Sequence, residues 1–278
     1  MLILNDGRTY YFNSNGDKVT KGGWYHINYD NMVFVTGGGS HYVKERIYKA
    51  SGIFRKYSFN DSKKSWDMNK NLWKNTGRKL MYFDGSGTCT ILYDQASNIL
   101  YRYISSSKSY KRVSNVIDKL NGSRYYFYDA NGNRRTSSGW KKVNGSTAYY
   151  VCDGGYVTSR YTDQKGTKKV YDFDYSKNTW VQKKNMWKTV YRSRYYFGSK
   201  GVATMSYNNS TKKAYKFTGR KWKPAKKLIM KIGNANYYFN SAAKRVVKAG
   251  KYKTADGYIA YVNRRGVVYK RELSLIHI

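Results

Sequence analysis

One aromatic run that closes in a turn recurs along the chain and limits what it can become. At Ser123-Arg124-Tyr125-Tyr126-Phe127-Tyr128-Asp129-Ala130-Asn131-Gly132 a strand-forming segment stops at Asn-Gly, the strongest short-range signal for a β-hairpin. Variants stand at residues 9–16, 81–87, 195–201 and 237–241. Their phenylalanines, Phe12, Phe83, Phe127, Phe197 and Phe239, follow one another at intervals of 71, 44, 70 and 42 residues. A long unit therefore alternates with a short one, and such a period decides the architecture ahead of any local propensity.

Other aromatic positions keep the same step. In the long unit Trp24, Phe59, Trp66 and Trp73 correspond to Trp140, Phe173, Trp180 and Trp187; in the short unit Tyr93, Tyr101 and Tyr110 correspond to Tyr207, Tyr215 and Trp222. The period divides the chain into the end of a preceding unit (1–4), long units at 5–73 and 121–187, short units at 74–120 and 188–232, and a partial third long unit at 233–272. The last six residues, 273–278, abandon the Tyr, Lys and Gly vocabulary and read as a non-native tail. Because Leu2-Ile3-Leu4-Asn5-Asp6-Gly7 already occupies the place that residues 117–122 hold in the later copy, the chain reads as beginning inside a unit and as a fragment of a longer protein.

Polar turn clusters fall about every twelve residues, which argues for short antiparallel strands in serial hairpins. An isolated hairpin is marginal in water, so neighbours must stack to bury their aromatic faces. The expected fold is all-β: tandem β-hairpin repeats in an elongated, solenoid-like stack, with three consecutive hairpins in the long unit. Val113, Val116, Ile117 and Leu120 fall at helical spacing, and Ala225, Leu228, Ile229 and Ile232 repeat it after Pro224, a residue tolerated in a first helical turn. One short helix per short unit is the corresponding expectation.

The apolar content is unusual, with 32 Tyr, 10 Phe and 7 Trp in 278 residues. Such side chains join a large apolar face to a polar end and suit many thin cores better than one deep one. The 53 Lys and Arg against 16 Asp and Glu give a net charge of +37, far above the magnitude of about 2 to 8 that keeps a small domain soluble. A field of that size attracts polyanions. No apolar run reaches the length of a membrane span, and Cys89 and Cys152, at non-equivalent repeat positions, form neither a disulfide framework nor a zinc site.

Catalysis needs polar groups that converge with shifted pKa values. The three histidines are His26, His41 and His277; His26 is replaced by Lys142 in the next copy and His41 has no matching histidine. Asp84, Asp129, Asp153 and Asp163 sit where short acidic side chains cap turns. No phosphate-loop, zinc-protease or nucleophile-elbow motif occurs. The reading is a non-enzyme with no cofactor and no metal.

At Gly139-Trp140-Lys141-Lys142-Val143-Asn144-Gly145 and at 121–132 the sequence resembles the cell-wall-binding and glucan-binding repeats of Gram-positive surface proteins, in which Gly-Trp is followed by Asn-Gly-x-Trp-Tyr-Tyr-Phe and a turn. The resemblance implies stacked hairpins that anchor an exported protein to choline-bearing teichoic acid or to α-glucan, outside the cell and associated with the wall. The family's Trp before Tyr-Tyr-Phe is here Thr9, Arg124, Arg194 and Asn236. A quaternary ammonium needs a complete aromatic box and is repelled by surrounding cations, which argues against choline. The basic, tyrosine-rich composition resembles lactobacillus wall-associated domains, where anionic wall polymer is the expected partner. The resemblance marks Trp24 and Trp140, with Tyr252 in the third copy, as aromatics that stack on sugar. The alternative is a nucleic-acid-binding protein, motivated by charge and interleaved aromatics, although any chain this basic binds nucleic acid non-specifically.

Overall fold

The computed structural model describes residues 2–3 and 7–274; the expectations for residues 1, 4–6 and 275–278 lie outside them. The chain forms two compact units, residues 1–135 and 136–278. In both, each strand of a sheet pairs antiparallel with the next in sequence. The first unit opens with a two-stranded sheet, Leu2–Ile3 with Thr9–Tyr10. Two five-stranded meanders follow, Gly23–His26 to Ser65–Met68 and Leu72–Asn75 to Ser109–Arg112, and then a three-stranded sheet, Val116–Lys119, Tyr125–Tyr128 and Arg134–Arg135. The second unit repeats the series with five-stranded meanders from Gly139–Lys142 to Thr179–Gln182 and from Met186–Val190 to Trp222–Pro224. A hairpin, Leu228–Ile232 with Ala235–Phe239, and a three-stranded sheet from Gly250–Lys253 to Val268–Leu273 complete it.

The all-β expectation holds, and two details of it, the short helices and the three hairpins, are corrected. The segments expected to be helical are strands: Val116–Lys119 pairs with Tyr125–Tyr128, and Leu228–Ile232 pairs with Ala235–Phe239. Apolar residues cover both faces of such a strand, so the period of two is lost and a helical spacing arises by coincidence. Pro224 ends an outer strand opposite Tyr215, the kind of edge position where a missing N–H is tolerated. Among the described residues the one helical element is the 3-10 turn Ser105–Ser107, and no helix is long and apolar enough to cross a membrane. In place of three hairpins, the long unit holds one hairpin and a continuous five-stranded meander. Leu273, expected in the tail, pairs with Tyr258. The unit edges read from the sequence at 73/74, 120/121, 187/188 and 232/233 fall within strands or hairpins, because a repeat fixes a period but not a starting point.

The turn after four of the five aromatic runs is built in one way, the exception being the run before Gly198, which has no side chain to cap with. The side-chain oxygen of the first turn residue accepts the backbone N–H groups two and four residues on: Asn13 from Asn15 and Asp17, Asp84 from Ser86 and Thr88, Asp129 from Asn131 and Asn133, and Asn240 from Ala242 and Lys244, all between 2.9 and 3.1 Å. The fourth residue takes positive φ, as Gly16, Gly87 and Gly132 do with φ of 85°, 80° and 76°; Ala243 does so at 57°. These turns also join one sheet to the next. The N–H of Leu100 donates to the carbonyl of Gly132, and in the second unit Ala214 donates to Ala243, at 3.1 and 3.0 Å.

The cores lie between successive sheets. Met32, Ile47 and Phe54 of the first meander pack with Met81, Phe83, Cys89 and Leu92 of the second. Leu80, Tyr93 and Leu100 then pack with Val113, Leu120 and Tyr128, and Tyr207, Ala214 and Ala225 with Met230, Ile232 and Phe239 in the second unit. Phe59 and Trp66 meet edge to face at 5.4 Å, and their counterparts Phe173 and Trp180 do so at 4.9 Å. Both cysteines are free thiols; burial pushes the Cys89 thiol up to about 12.

The turns yield a test. A Cβ on Gly132 would stand 3.1 Å from the Val113 carbonyl oxygen and 3.3 Å from Ile99 Cγ2, whereas one on Gly16 meets nothing within 4 Å. Gly16→Ala should cost about 1 kcal/mol from its left-handed conformation alone, and Gly132→Ala about 2–4 kcal/mol once the steric clash is added. Urea unfolding measures both, and equal losses would refute docking of the Gly132 turn on the neighbouring sheet.

Candidate functional site

Cross-strand pairing lays a row of side chains across the first meander of the second unit. Trp140 pairs with Tyr150, Tyr150 with Ser159, and Ser159 with Asp172. Partners in register project from the same face of a sheet, so the row presents two aromatic rings, a hydroxyl and a carboxylate in sequence. The following sheet adds Lys188, Thr189 and Tyr191. These three, with Gly139, Thr158 and the Trp140, Tyr150 and Ser159 of the row, line a pocket of about 640 Å³; Asp172 lies behind that lining, hydrogen-bonded to Ser159 and Lys188.

Trp140 is the fixed wall of this pocket. Its Nε1 donates to the Thr189 carbonyl at 3.0 Å, and its ring meets Tyr150 at 5.5 Å, Tyr161 at 6.3 Å and Tyr191 at 6.4 Å. Burial raises the pKa of Tyr161 and of Tyr191, so both phenols stay neutral. Tyr191 is 49% exposed and has φ of 53°. A bulky side chain in the left-handed region costs energy, and Lys64, Lys165 and Lys212 share that conformation in other turns of this chain. Counted back from the Phe of each aromatic run, the same place holds Gly77, Asn121 and Gly233, with φ of 82°, 41° and 63°. Tyr191 alone among these departs from turn-compatible residues, and that departure was available in the sequence although the repeat alignment passed over it.

Charge at the floor of the pocket is neutralised locally. Asp172 accepts from Ser159 Oγ at 2.6 Å and Lys188 Nζ at 3.2 Å, with Lys183 at 3.3 Å. Burial pushes the Asp172 carboxyl up, but the Ser159 hydroxyl and the two ammoniums outweigh it and hold the group below its ordinary value. The remaining lining is hydroxyl and aromatic. Such a surface can stack on the apolar face of a sugar ring and exchange hydrogen bonds with its hydroxyls, which is the chemistry of a neutral carbohydrate subsite.

The other two aromatics expected to bind sugar are placed differently. Trp24 occupies the register position of Trp140, paired with Phe34, which pairs with Glu45, which pairs with Ser58. Here the carboxylate and hydroxyl have exchanged strands across the same rung. Glu45 holds Lys74 at 2.6 Å and the buried Lys56 at 3.3 Å, and the Lys74 ammonium lies over the rings of Trp24 and Phe34 at 5.2 and 5.7 Å. The lysine thus covers the face that Trp140 leaves to its pocket. Tyr252 is not a counterpart of the tryptophans, because Gly250 pairs with Val262 as Gly139 pairs with Val151, which puts Lys251 in the Trp140 position. Tyr252 matches Tyr25: their hydroxyls donate to Lys248 and Lys21 carbonyls at 3.0 and 2.8 Å. Its ring stacks on Tyr238 at 5.2 Å. One residue of offset moves a side chain to the opposite face of a strand.

No family model matches the chain. It is 26% identical over 232 residues to glucosyltransferase-I of Streptococcus downei, a match that covers 69% of this chain and 13% of that enzyme. Among solved structures it is similar to an alternansucrase in complex with isomaltononaose (15% identity, TM-score 0.27, 95% of this chain and 16% of the other). It is also similar to choline binding protein F from Streptococcus pneumoniae, crystallised with a peptidoglycan analogue (18% identity, TM-score 0.25, 96% and 91%). The neighbours are choline-binding repeat proteins and glucosyltransferases, the kinds of protein whose repeats the Gly-Trp and Tyr-Tyr-Phe motifs resemble.

The state of Asp172 gives a pH prediction. A carboxyl whose folded pKa is depressed adds stability above its unfolded value and loses it as pH falls through the folded value. Asp172→Asn should lower stability at pH 7 by about 1 kcal/mol, a figure kept small because the side chain is 35% exposed and screened. The gap should close as pH drops below about 4. Denaturation of both proteins across that range measures it, and a gap independent of pH would contradict the ionised network.

Proposed function

We propose that this chain is a non-catalytic binding region that holds an exported protein to polysaccharide of the cell wall or to glucan. The Trp140 pocket takes a neutral sugar ring, and the cationic surface draws in anionic wall polymers such as teichoic acid. The observation that carries the reading is the strained, exposed Tyr191 facing Trp140 over a floor of hydroxyls and a neutralised ion cluster. The similarity to a streptococcal glucosyltransferase over 69% of the chain supports glucan as the polymer class.

Charge supports the second half of the reading. Sixteen carboxylates cannot neutralise 53 cations, and several are already committed, as Asp84, Asp129 and Asp174 are to the N–H groups of their own turns. Many weak cationic contacts along one polymer gain avidity because each further contact is intramolecular. Among the described residues, carboxylates such as Asp84, Asp129 and Asp174 are spent on turns and Glu45 and Asp172 on lysine pairs, which supports a binding role over catalysis.

The test is titration with a neutral α-gluco-oligosaccharide at physiological salt. Trp140→Ala and Tyr191→Gly should each weaken binding about tenfold, the loss of roughly 1.4 kcal/mol from one stacked ring. Tyr191→Gly should at the same time leave stability unchanged or raise it by up to about 1 kcal/mol, since glycine relieves the left-handed backbone. Undiminished sugar binding in both variants would refute the site. Sedimentation with Gram-positive walls should fall as salt rises, and full retention on walls stripped of teichoic acid would refute the anionic-polymer half.

A further inference from the structure

The first unit carries a second pocket, with a different chemistry, at the ends of its two meanders. It has a volume of about 530 Å³ and is lined by His26, Tyr29, Arg78, Lys79 and Asp94, among others. Lys79 is the unusual member. The residue is 4% exposed, and its Nζ lies 3.4 Å from the Tyr29 ring centroid and donates to the Tyr29 carbonyl at 2.5 Å. An ammonium has three donors, and no second hydrogen-bond acceptor for Lys79 stands within reach among the described residues. Burial pulls this ammonium down to about 8 although Asp30 and Asp94 lie near it. Asp30 is shared with Lys49, at 3.6 Å, and Asp94 receives the N–H groups of Ala96 and Ser97. Among the described residues, neither carboxylate makes an ion pair or hydrogen bond with Lys79, although Asp30 Oδ1 is buried with no hydrogen-bond partner.

Around this buried cation stand further groups of the pocket lining. The exposed Arg78 is adjacent in sequence and contributes a planar donor fork. His26 is within 3.2 Å of the Thr76 carbonyl through Nε2; a carbonyl only accepts, so Nε2 carries the proton and Nδ1 is left for the pocket. Tyr29 is 61% exposed and offers its outer face as a platform. The pocket is not a by-product of the repeat. At the register positions of His26, Tyr29, Lys79 and Asp94 the second unit has Lys142, Gly145, Ser193 and Asn208, on the same strand and turn frame.

We propose that this pocket binds a phosphate group carried on a polyol, the repeating phosphodiester of a polyol-phosphate polymer, with Arg78 and Lys79 on the phosphate oxygens, His26 Nδ1 accepting from a polyol hydroxyl and Tyr29 against the polyol carbons. This deepens the proposed function, on which it rests for the polymer class, by assigning the anionic part of the ligand to named residues rather than to diffuse charge. Charge-assisted hydrogen bonds to phosphate are strong and directional. Placed on a buried cation, they give selectivity that a general positive field cannot.

The experiment titrates the full chain with a short, defined oligomer of glycerol phosphate at about 0.15 M salt, where diffuse attraction is screened beyond about 8 Å. Arg78→Gln and Lys79→Met should each weaken binding about tenfold or more. Trp140→Ala should leave it unchanged, while the neutral gluco-oligosaccharide shows the reverse pattern; that reversal separates failure of this site from failure of the sugar site. If Lys79→Met does not fold, the exposed Arg78→Gln carries the decision alone. Wild-type affinity in Arg78→Gln would overturn the proposal. So would inorganic phosphate binding as tightly as the oligomer, or single-stranded DNA of equal phosphate number binding more tightly with the same loss in the variants.

Discussion

A two-stranded aromatic ribbon cannot bury its own rings, and everything else in this protein follows from the way successive ribbons cover one another. Phe83, Phe197 and Phe239 are fully buried only because a neighbouring sheet supplies the opposite wall. Each docking is fixed in register by a turn whose carbonyl meets an N–H of the preceding sheet, as Gly132 meets Leu100 and Ala243 meets Ala214. A frame held by backbone and aromatic contacts frees the outward positions to change. The +37 charge is tolerable on such a frame because water screens the exposed cations, while the buried Lys56 pairs with Glu45.

The consequence is functional divergence between copies that share a backbone. The rung Trp24, Phe34, Glu45, Ser58 and the rung Trp140, Tyr150, Ser159, Asp172 occupy equivalent registers. In the first the lysine is held over the indole; in the second the carboxylate has crossed to the adjacent strand and holds Lys188 at the floor of an open pocket. The reverse holds at the hairpin ends, where the first unit gathers Tyr29, Arg78 and Lys79 and the second has Gly145, Arg192 and Ser193. One copy thus presents hydroxyls and rings, and the other a buried cation.

Much of the frame could be read from the chain alone. The intervals between phenylalanines, the Phe59–Trp66 and Phe173–Trp180 spacings and the Asp-Gly and Asn-Gly turns translate directly into paired strands, because a hairpin is a local object. What depends on a neighbouring sheet could not be read. In residues 228–232 both faces carry apolar side chains, Met230 and Ile232 packing with Tyr207 and Ala214 and Ile229 with Ala260 and Val262 of the next sheet, and this erased the alternation that identifies a strand. Tyr252 was matched to the tryptophans by motif, but face and not sequence similarity decides where a strand residue points. Trp140 was legible as an aromatic at a repeated Gly-Trp position. Its partners Lys188, Thr189 and Tyr191 were not legible, because they come from the next sheet, although Tyr191 carried a signal as a bulky residue where other copies have Gly or Asn.

The central claim is that a frame of equivalent repeats carries one open sugar-stacking pocket, walled by Trp140 and Tyr191. Its most direct test is the set of indole N–H resonances in a nitrogen-resolved NMR spectrum recorded as a neutral gluco-oligosaccharide is added. The account predicts a saturable shift of the Trp140 indole, assigned by its loss in Trp140→Phe, while the indoles of Trp24, Trp66 and Trp180 stay in place. A Trp24 indole that moves while Trp140 does not, or small unsaturable shifts shared by all the indoles, would contradict it.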